Sequence, residues 1–264
     1  EDAALATSAR ELAAREDIAL DDTMLMANLS DPAASSRDRI ASLRHLHRDE
    51  SRRAAVLDAA LNDADANLHV AALHLLAESD QQTAMDWIKR DLEQDSITRR
   101  QGAIALLGTL DDPEAVRVLT ELHAEMAGQL PMALHLDVHD AIAKRSERSM
   151  ELLAALHTDG HYSAALVGGD ADRGRSLVRY HAAAACLRCH MIDGHGGTSA
   201  PDLTDAHERL DRAALLQSII EPTAVVAEGY GDVTAMPEMI QHLTPRQVRD
   251  IVEYLAQPSG GDQE

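Results

Sequence analysis

Cys186-Leu187-Arg188-Cys189-His190 is the stretch that decides how the rest of the chain is read. Two thiols three residues apart, followed at once by an imidazole, have the C-x-x-C-H spacing of a covalent haem attachment. Each thiol can form a thioether to a haem vinyl group, and the histidine is placed to bind the iron from one face. In one helical turn, residues three apart share a face, so both sulfurs meet one edge of a porphyrin. Cys186 and Cys189 are the only cysteines in 264 residues. A thioredoxin-like redox pair would need a βαβ setting, and the flank Ala182-Ala183-Ala184-Ala185 is alanine-rich and helical in character. A zinc site would need two further ligands at finger-like spacing, which only histidines could supply. The preferred reading is one haem c, attached through Cys186 and Cys189, with His190 on the iron.

Working outward, Asp170 caps a helix expected to run through Arg175, Leu177, Val178 and Tyr180 into the cysteine pair. After His190 comes a glycine-rich loop, Gly194-His195-Gly196-Gly197, ending in Ala200-Pro201-Asp202-Leu203-Thr204. A further helix is expected at about 206–220, carrying Leu210, Leu215, Leu216 and Ile219, and closed by Glu221-Pro222. The last helix is the best marked. Thr244-Pro245-Arg246-Gln247 is a capping box with proline in the first turn. Val248, Ile251, Val252 and Leu255 follow at i, i+3, i+4 and i+7. Upstream, residues 157–170 lose helical periodicity and gain Gly160, Gly168 and Gly169, which reads as a linker.

Before that linker a helical repeat appears. Ile40-Ala41-Ser42-Leu43, Val70-Ala71-Ala72-Leu73 and Ala103-Ile104-Ala105-Leu106 are similar, and Val138-His139-Asp140-Ala141-Ile142 is a weaker copy. The steps are 30, 33 and 36 residues. Each copy is followed by a second helical segment, at 54–61, 83–92, 113–126 and 150–156. Two-helix units at this period read as a short HEAT-like α-solenoid, with an irregular bundle as the alternative. One more helix, over 2–16, has Leu5, Leu12 and Ile18 as buried positions and no obvious partner surface. His135 and His139, at i and i+4, share a helix face, which suits either a metal pair or a solvated side.

Composition limits the rest. The chain is 45% apolar but has no Phe, one Trp and four Tyr, so its cores are built from Leu, Ile, Val, Met and Ala, which favours helices. No apolar run approaches the ~20 residues of a membrane span. Twenty-four basic against 45 acidic residues give a net charge of −21, which argues against nucleic acid as a partner. The excess is spread over both parts: 16 basic against 30 acidic residues up to 166, and 8 against 15 from 167. A basic protein or a small diffusible acceptor is the better match.

From about Gly169 to Gln257 the chain resembles class I cytochrome c domains. It looks most like those joined to HEAT-type repeats at the C-terminus of large exported proteins, some with a quinoprotein sugar-dehydrogenase-like propeller upstream. The matching stretches are Gly169-Asp170-Ala171-Asp172-Arg173-Gly174-Arg175, Cys186–His190, Ala200–Thr204, Thr234-Ala235-Met236-Pro237-Glu238, and Leu243-Thr244-Pro245 through Tyr254-Leu255. The resemblance implies that Gly174 lets the last helix cross the first, with Tyr254 at the crossing. It implies that the Pro201 carbonyl accepts the Nδ1 hydrogen of His190. It also implies that Met236, followed by Pro237, is the second axial ligand. Met239 is the rival, and His195, His207 and His242 are weaker ones. Val178 stands where relatives carry an aromatic residue, with Tyr180 as its expected replacement. The gap between Gly229-Tyr230 and Met236-Pro237 is shorter than in many fused relatives and agrees with free-standing cytochromes.

The expected architecture is all-α: a HEAT-like α-solenoid over 1–160 and a class I cytochrome c domain over 167–264. The expected function is one-electron transfer through a single haem held by Cys186, Cys189, His190 and Met236, with the repeat as a docking scaffold. The alternatives are the electron-relay end of an exported dehydrogenase, or a haem enzyme or gas sensor with an open distal side. The partner is a redox protein, such as an upstream quinoprotein domain or subunit. With Lys89 and Lys144 the only lysines, a lysine-ringed haem edge is excluded. The chain begins Glu1-Asp2-Ala3-Ala4 without a basic or apolar leader. The resemblance nevertheless implies export to a bacterial periplasm, after removal of a signal or as the end of a longer exported chain.

Overall fold

The structure is a computed structural model and describes residues 22–126, 128–145, 162–231 and 234–258. The helix expected at 2–16 and the helical segment at 150–156 lie outside the described residues. The chain divides into two compact units, Glu1–Glu121 and Leu122–Glu264.

The first unit is built from α1 (Asp22–Ser30), α2 (Ser36–Leu46), α3 (Glu50–Leu61), α4 (Ala66–Ser79), α5 (Gln81–Leu92) and α6 (Ile97–Leu107), and contains most of α7 (Pro113–Glu125). Ser35, Asp49, Asp65, Asp80 and Ser96 each accept a first-turn backbone N–H, so part of the acidic excess caps helices. Consecutive helices from α1 to α6 pack on one another. The alternate helices α2, α4 and α6 also stack, giving a solenoid-like arrangement in which each helix touches near neighbours. The core is aliphatic, with Leu43, Leu68, Leu73, Ile88, Ile104 and Leu107 fully buried. A side chain at Gly102 would sit 2.5 Å from Val70, so α6 approaches α4 closely. Trp87 lies against His69, ring centroids 5.6 Å apart, with the Arg90 guanidinium 5.0 Å from its ring. The helix α1 has no counterpart in the sequence reading. Its apolar residues are unevenly spent: Leu25 and Leu29 are buried, while Met24 and Met26 are exposed.

The second unit contains α8 (His135–Arg145), α9 (Ala171–Tyr180), the two-residue strands β1 (Met191–Ile192) and β2 (His195–Gly196), α10 (Ala206–Arg209), α11 (Arg212–Ile220) and α12 (Pro245–Leu255). The strands pair antiparallel, Met191 opposite Gly196 and Ile192 opposite His195. The helices α9 and α12 cross at Gly174, where an added Cβ would lie 2.0 Å from the Asp250 carbonyl and 2.8 Å from Tyr254 Cβ. Only glycine allows that approach. Asp170 caps α9, Asp211 caps α11, and Thr244 with Gln247 forms the full capping box of α12. Val178, Ile192, Ala206, Leu215, Val248 and Val252 form the centre of this unit.

Four expectations need correction. The helix expected at 206–220 is two helices, because Leu210 is extended and Asp211 turns its carboxylate onto the Ala214 N–H. The helix α9 stops at Tyr180, short of the cysteines, with His181 extended. Tyr180 does not replace the missing aromatic at Val178: it is 75% exposed, while Val178 is buried. The C-terminal part of the expected linker is packed rather than loose. Ala165 is buried, Gly168 has φ +82° and fits against Ala133, and Gly169 fits against the Arg249 carbonyl, 2.4 Å from where a Cβ would be. These glycines serve close approach.

Candidate functional site

Beyond α9 the chain makes a tight turn. The Ala184 N–H donates to His181 Nδ1, and Ala185 takes a left-handed conformation, φ +42°. Cys186–Arg188 is then a 3₁₀ turn, with the Cys189 and His190 N–H groups both donating to the Cys186 carbonyl. Cys186 opens the turn and Cys189 caps it, three residues apart, and both border the same cavity. The glycine loop lies flat on this turn. The Gly197 N–H donates to the Leu187 carbonyl at 2.9 Å, and the Ala200 N–H to the Cys189 carbonyl at 3.0 Å. A Cβ at Gly196 would meet the His190 carbonyl at 2.1 Å, and one at Gly197 the Arg188 carbonyl at 2.4 Å.

The loop then delivers Pro201 behind the histidine. His190 Nδ1 lies 2.7 Å from the Pro201 carbonyl. A carbonyl only accepts, so Nδ1–H donates, and Nε2 is left with its lone pair for a metal.

These residues border an apolar cavity of about 500 Å³, within the range of cofactor sites. Cys186, Cys189 and His190 form one edge. Leu215 and Ile219 of α11, and Ile251 and Leu255 of α12, supply apolar wall. The segment after Thr234 adds Met236, Pro237 and Met239. Met236 is partly buried and its N–H donates to Thr234 Oγ1 at 3.0 Å; Met239 is 4% exposed, in a 3₁₀ turn. Burial pushes the Cys186 thiol up from its usual range, as a dry wall requires.

His190 is the one histidine lining the cavity among the described residues. His195 is exposed and engaged with the Asp193 carbonyl, and neither His207 nor His242 reaches the lining. Arg209, which the sequence reading passed over, is the only charged lining residue among the described residues, and it donates to the Asp202 carbonyl. Its one sequence signal was being the sole Arg or Lys between Arg188 and Arg212. The donor set fits a haem: two thiols on one edge, an imidazole nitrogen free for iron, sulfur donors, dry walls, and one cation for a carboxylate.

Residues 173–259 match the family model for cytochrome c. The chain carries a cytochrome c domain. No curated protein and no solved structure matches the chain. Cytochrome c domains hold haem c and its iron covalently and exchange electrons with a redox partner, and the two cysteines of this chain both border the cavity. Among the described residues, no helix is long and apolar enough to cross a membrane.

The histidine pair of α8 is used otherwise. His135 Nε2 lies 3.0 Å from the Leu130 carbonyl, and the His139 ring packs edge-on to His123 with centroids 6.2 Å apart. Among the described residues no group of three or more His, Cys, Asp or Glu could hold a metal ion.

Proposed function

We propose that this protein is an exported electron-transfer protein whose single haem c is joined to Cys186 and Cys189 and ligated by His190 and Met236. The observation that carries the reading is that Met236 borders the same cavity as Cys186, Cys189 and His190, with no second histidine beside it among the described residues. The bound haem supplies one-electron chemistry. The protein's part is to position and tune it. His190 presents Nε2 because Pro201 fixes its Nδ1 hydrogen. Thr234 and Pro237 restrain the backbone on either side of Met236. With His190 and Met236 both bound to it, the haem would favour outer-sphere transfer, and a thioether ligand would raise its potential.

The region 167–264 acts as the haem domain, since the described lining residues all fall from Val178 to Leu255. The stacked helices of the first unit act as a HEAT-like docking scaffold. Their solenoid-like stacking supports this. The acidic balance, −21 overall, suits a redox partner with a basic docking face.

Intact mass and a visible spectrum of the purified protein test attachment and spin state together: one added haem and a low-spin spectrum are expected. Met236→Ala is expected to lower the potential, abolish the weak far-red sulfur-to-iron band of the oxidised form, and open the iron to cyanide. Met239→Ala is expected to do none of these. Exchanged behaviour of the two variants, or a band that survives Met236→Ala, refutes the ligand assignment.

A further inference from the structure

Helix α8 precedes the stretch that matches the cytochrome c family, yet it is tied into the haem domain by charge. Asp137 is fully buried and Arg249 is 2% exposed. Arg249 Nη1 donates to Asp137 Oδ2 at 2.6 Å, Nη2 lies 3.3 Å from Oδ1, and Nη1 also reaches the Ala133 carbonyl at 3.3 Å. One turn earlier, Arg246 donates through Nε to Asp140, and its Nη2 lies 3.0 Å from Asp137 Oδ1. Two carboxylates of α8 thus hold two guanidinium groups of α12. The glycines preceding α9 close the same corner, Gly168 against Ala133 and Gly169 against the Arg249 backbone.

A pair buried to this degree is a weak source of net stability, because both ions lose their hydration. It is a strong fixer of geometry, because removing one partner leaves an uncompensated charge in a dry site. What it fixes here is the helix that also borders the haem cavity. Ile251 and Leu255 of α12 line that cavity, and Leu243, the residue before the α12 cap, does too. The segment bearing Met236 enters α12 at Thr244, so any displacement at Arg246 and Arg249 is passed to the cavity wall and to that segment.

We infer that Asp137 and Asp140 are positioning residues for the haem site, and that α8 is a working part of the haem domain. They act through Arg249 and Arg246 and touch no haem atom. The inference rests on the proposed Met236 ligation for its readout.

The test uses the full-length holoprotein and compares Asp137→Asn with Arg39→Met. Arg39 is, among the described residues, the other buried arginine with a strong partner, held by Asp63 in the first unit. Asp137→Asn is expected to weaken the far-red band and to speed cyanide binding about tenfold, as the iron-open state rises from about 1% to about 10%. Arg39→Met is expected to lower the melting temperature of the first unit and leave both haem readouts unchanged. Replacing both partners, Asp137→Leu with Arg249→Met, is expected to slow cyanide binding again, since the uncompensated charge is gone. If Asp137→Asn yields no holoprotein, Arg246→Gln decides, with a smaller acceleration expected. Wild-type cyanide kinetics and an intact band in Asp137→Asn, or in Arg246→Gln where it decides, overturn the inference. A wild type that lacks the band and binds cyanide at once refutes the Met236 ligation and this inference with it.

Discussion

The two units reach order by different physics. In the first, helices are started by Ser and Asp caps and held by aliphatic contacts between near neighbours, as in α2, α4 and α6. In the second, order depends on residues far apart in sequence: Gly174 against Asp250, Arg212 paired with Glu253, Arg249 with Asp137. Its core also encloses an apolar cavity of about 500 Å³. Local contacts make a fold tolerant of single losses, whereas a few long-range ones make it exacting.

The strongest way to break the comparison is to remove the cofactor. Cys186→Ser with Cys189→Ser is expected to give protein without covalent haem. The second unit should then lose its cooperative melt, since binding energy is folding energy for a cavity of this kind. The first unit should melt as before. Calorimetry checks both, and acid-acetone extraction of free haem from the wild type would contradict covalent attachment. Next in size is Gly174→Val. Its side chain would strike the Asp250 backbone, which cannot swing aside as a flexible side chain can. The expected cost exceeds the ~1–3 kcal/mol usual for overpacking, read as loss of the soluble holoprotein.

A smaller effect is expected from Leu73→Ala, at a fully buried position of α4. The cost should be about 3 kcal/mol, with the haem spectrum unchanged; a spectral change would mean that the units are not independent. The smallest effect is in pH. Burial, then the nearby His123 and His135, holds the His139 imidazole below its ordinary value of 6.5. The unfolded chain therefore takes up a proton before the folded one does. Stability of the second unit is fully present above the unfolded value and falls as pH drops below 6.5. His139→Gln should flatten that slope in haem-monitored denaturation curves. An unchanged slope would place the titration elsewhere.

Much of this was legible in sequence. The C-x-x-C-H spacing and the Thr244 capping box are local patterns with local causes. The helical pairs follow from Leu and Ala periodicity. The residues proposed for the haem, Cys186, Cys189, His190, Pro201 and Met236, come together around one cavity. What was not legible was mainly non-local. Asp137 and Arg249 are 112 residues apart, and nothing near either marks it as paired. Gly168 and Gly169 read as freedom, because a glycine needed for close approach looks the same in sequence as one needed for flexibility. The break at Asp211 was hidden by apolar residues that continue the helical period across it, and Arg209 by the lack of any pattern around a lone cation. The corner built by α8 also lies before the stretch 173–259 that matches the family.

The absence of Phe and the single Trp leave the protein with separate optical labels. Trp87, flanked by His69 and Arg90, is the sole indole and belongs to the first unit. The haem chromophore belongs to the second. Indole emission therefore follows the helical array while visible absorption follows the redox site, in one sample and without added dyes.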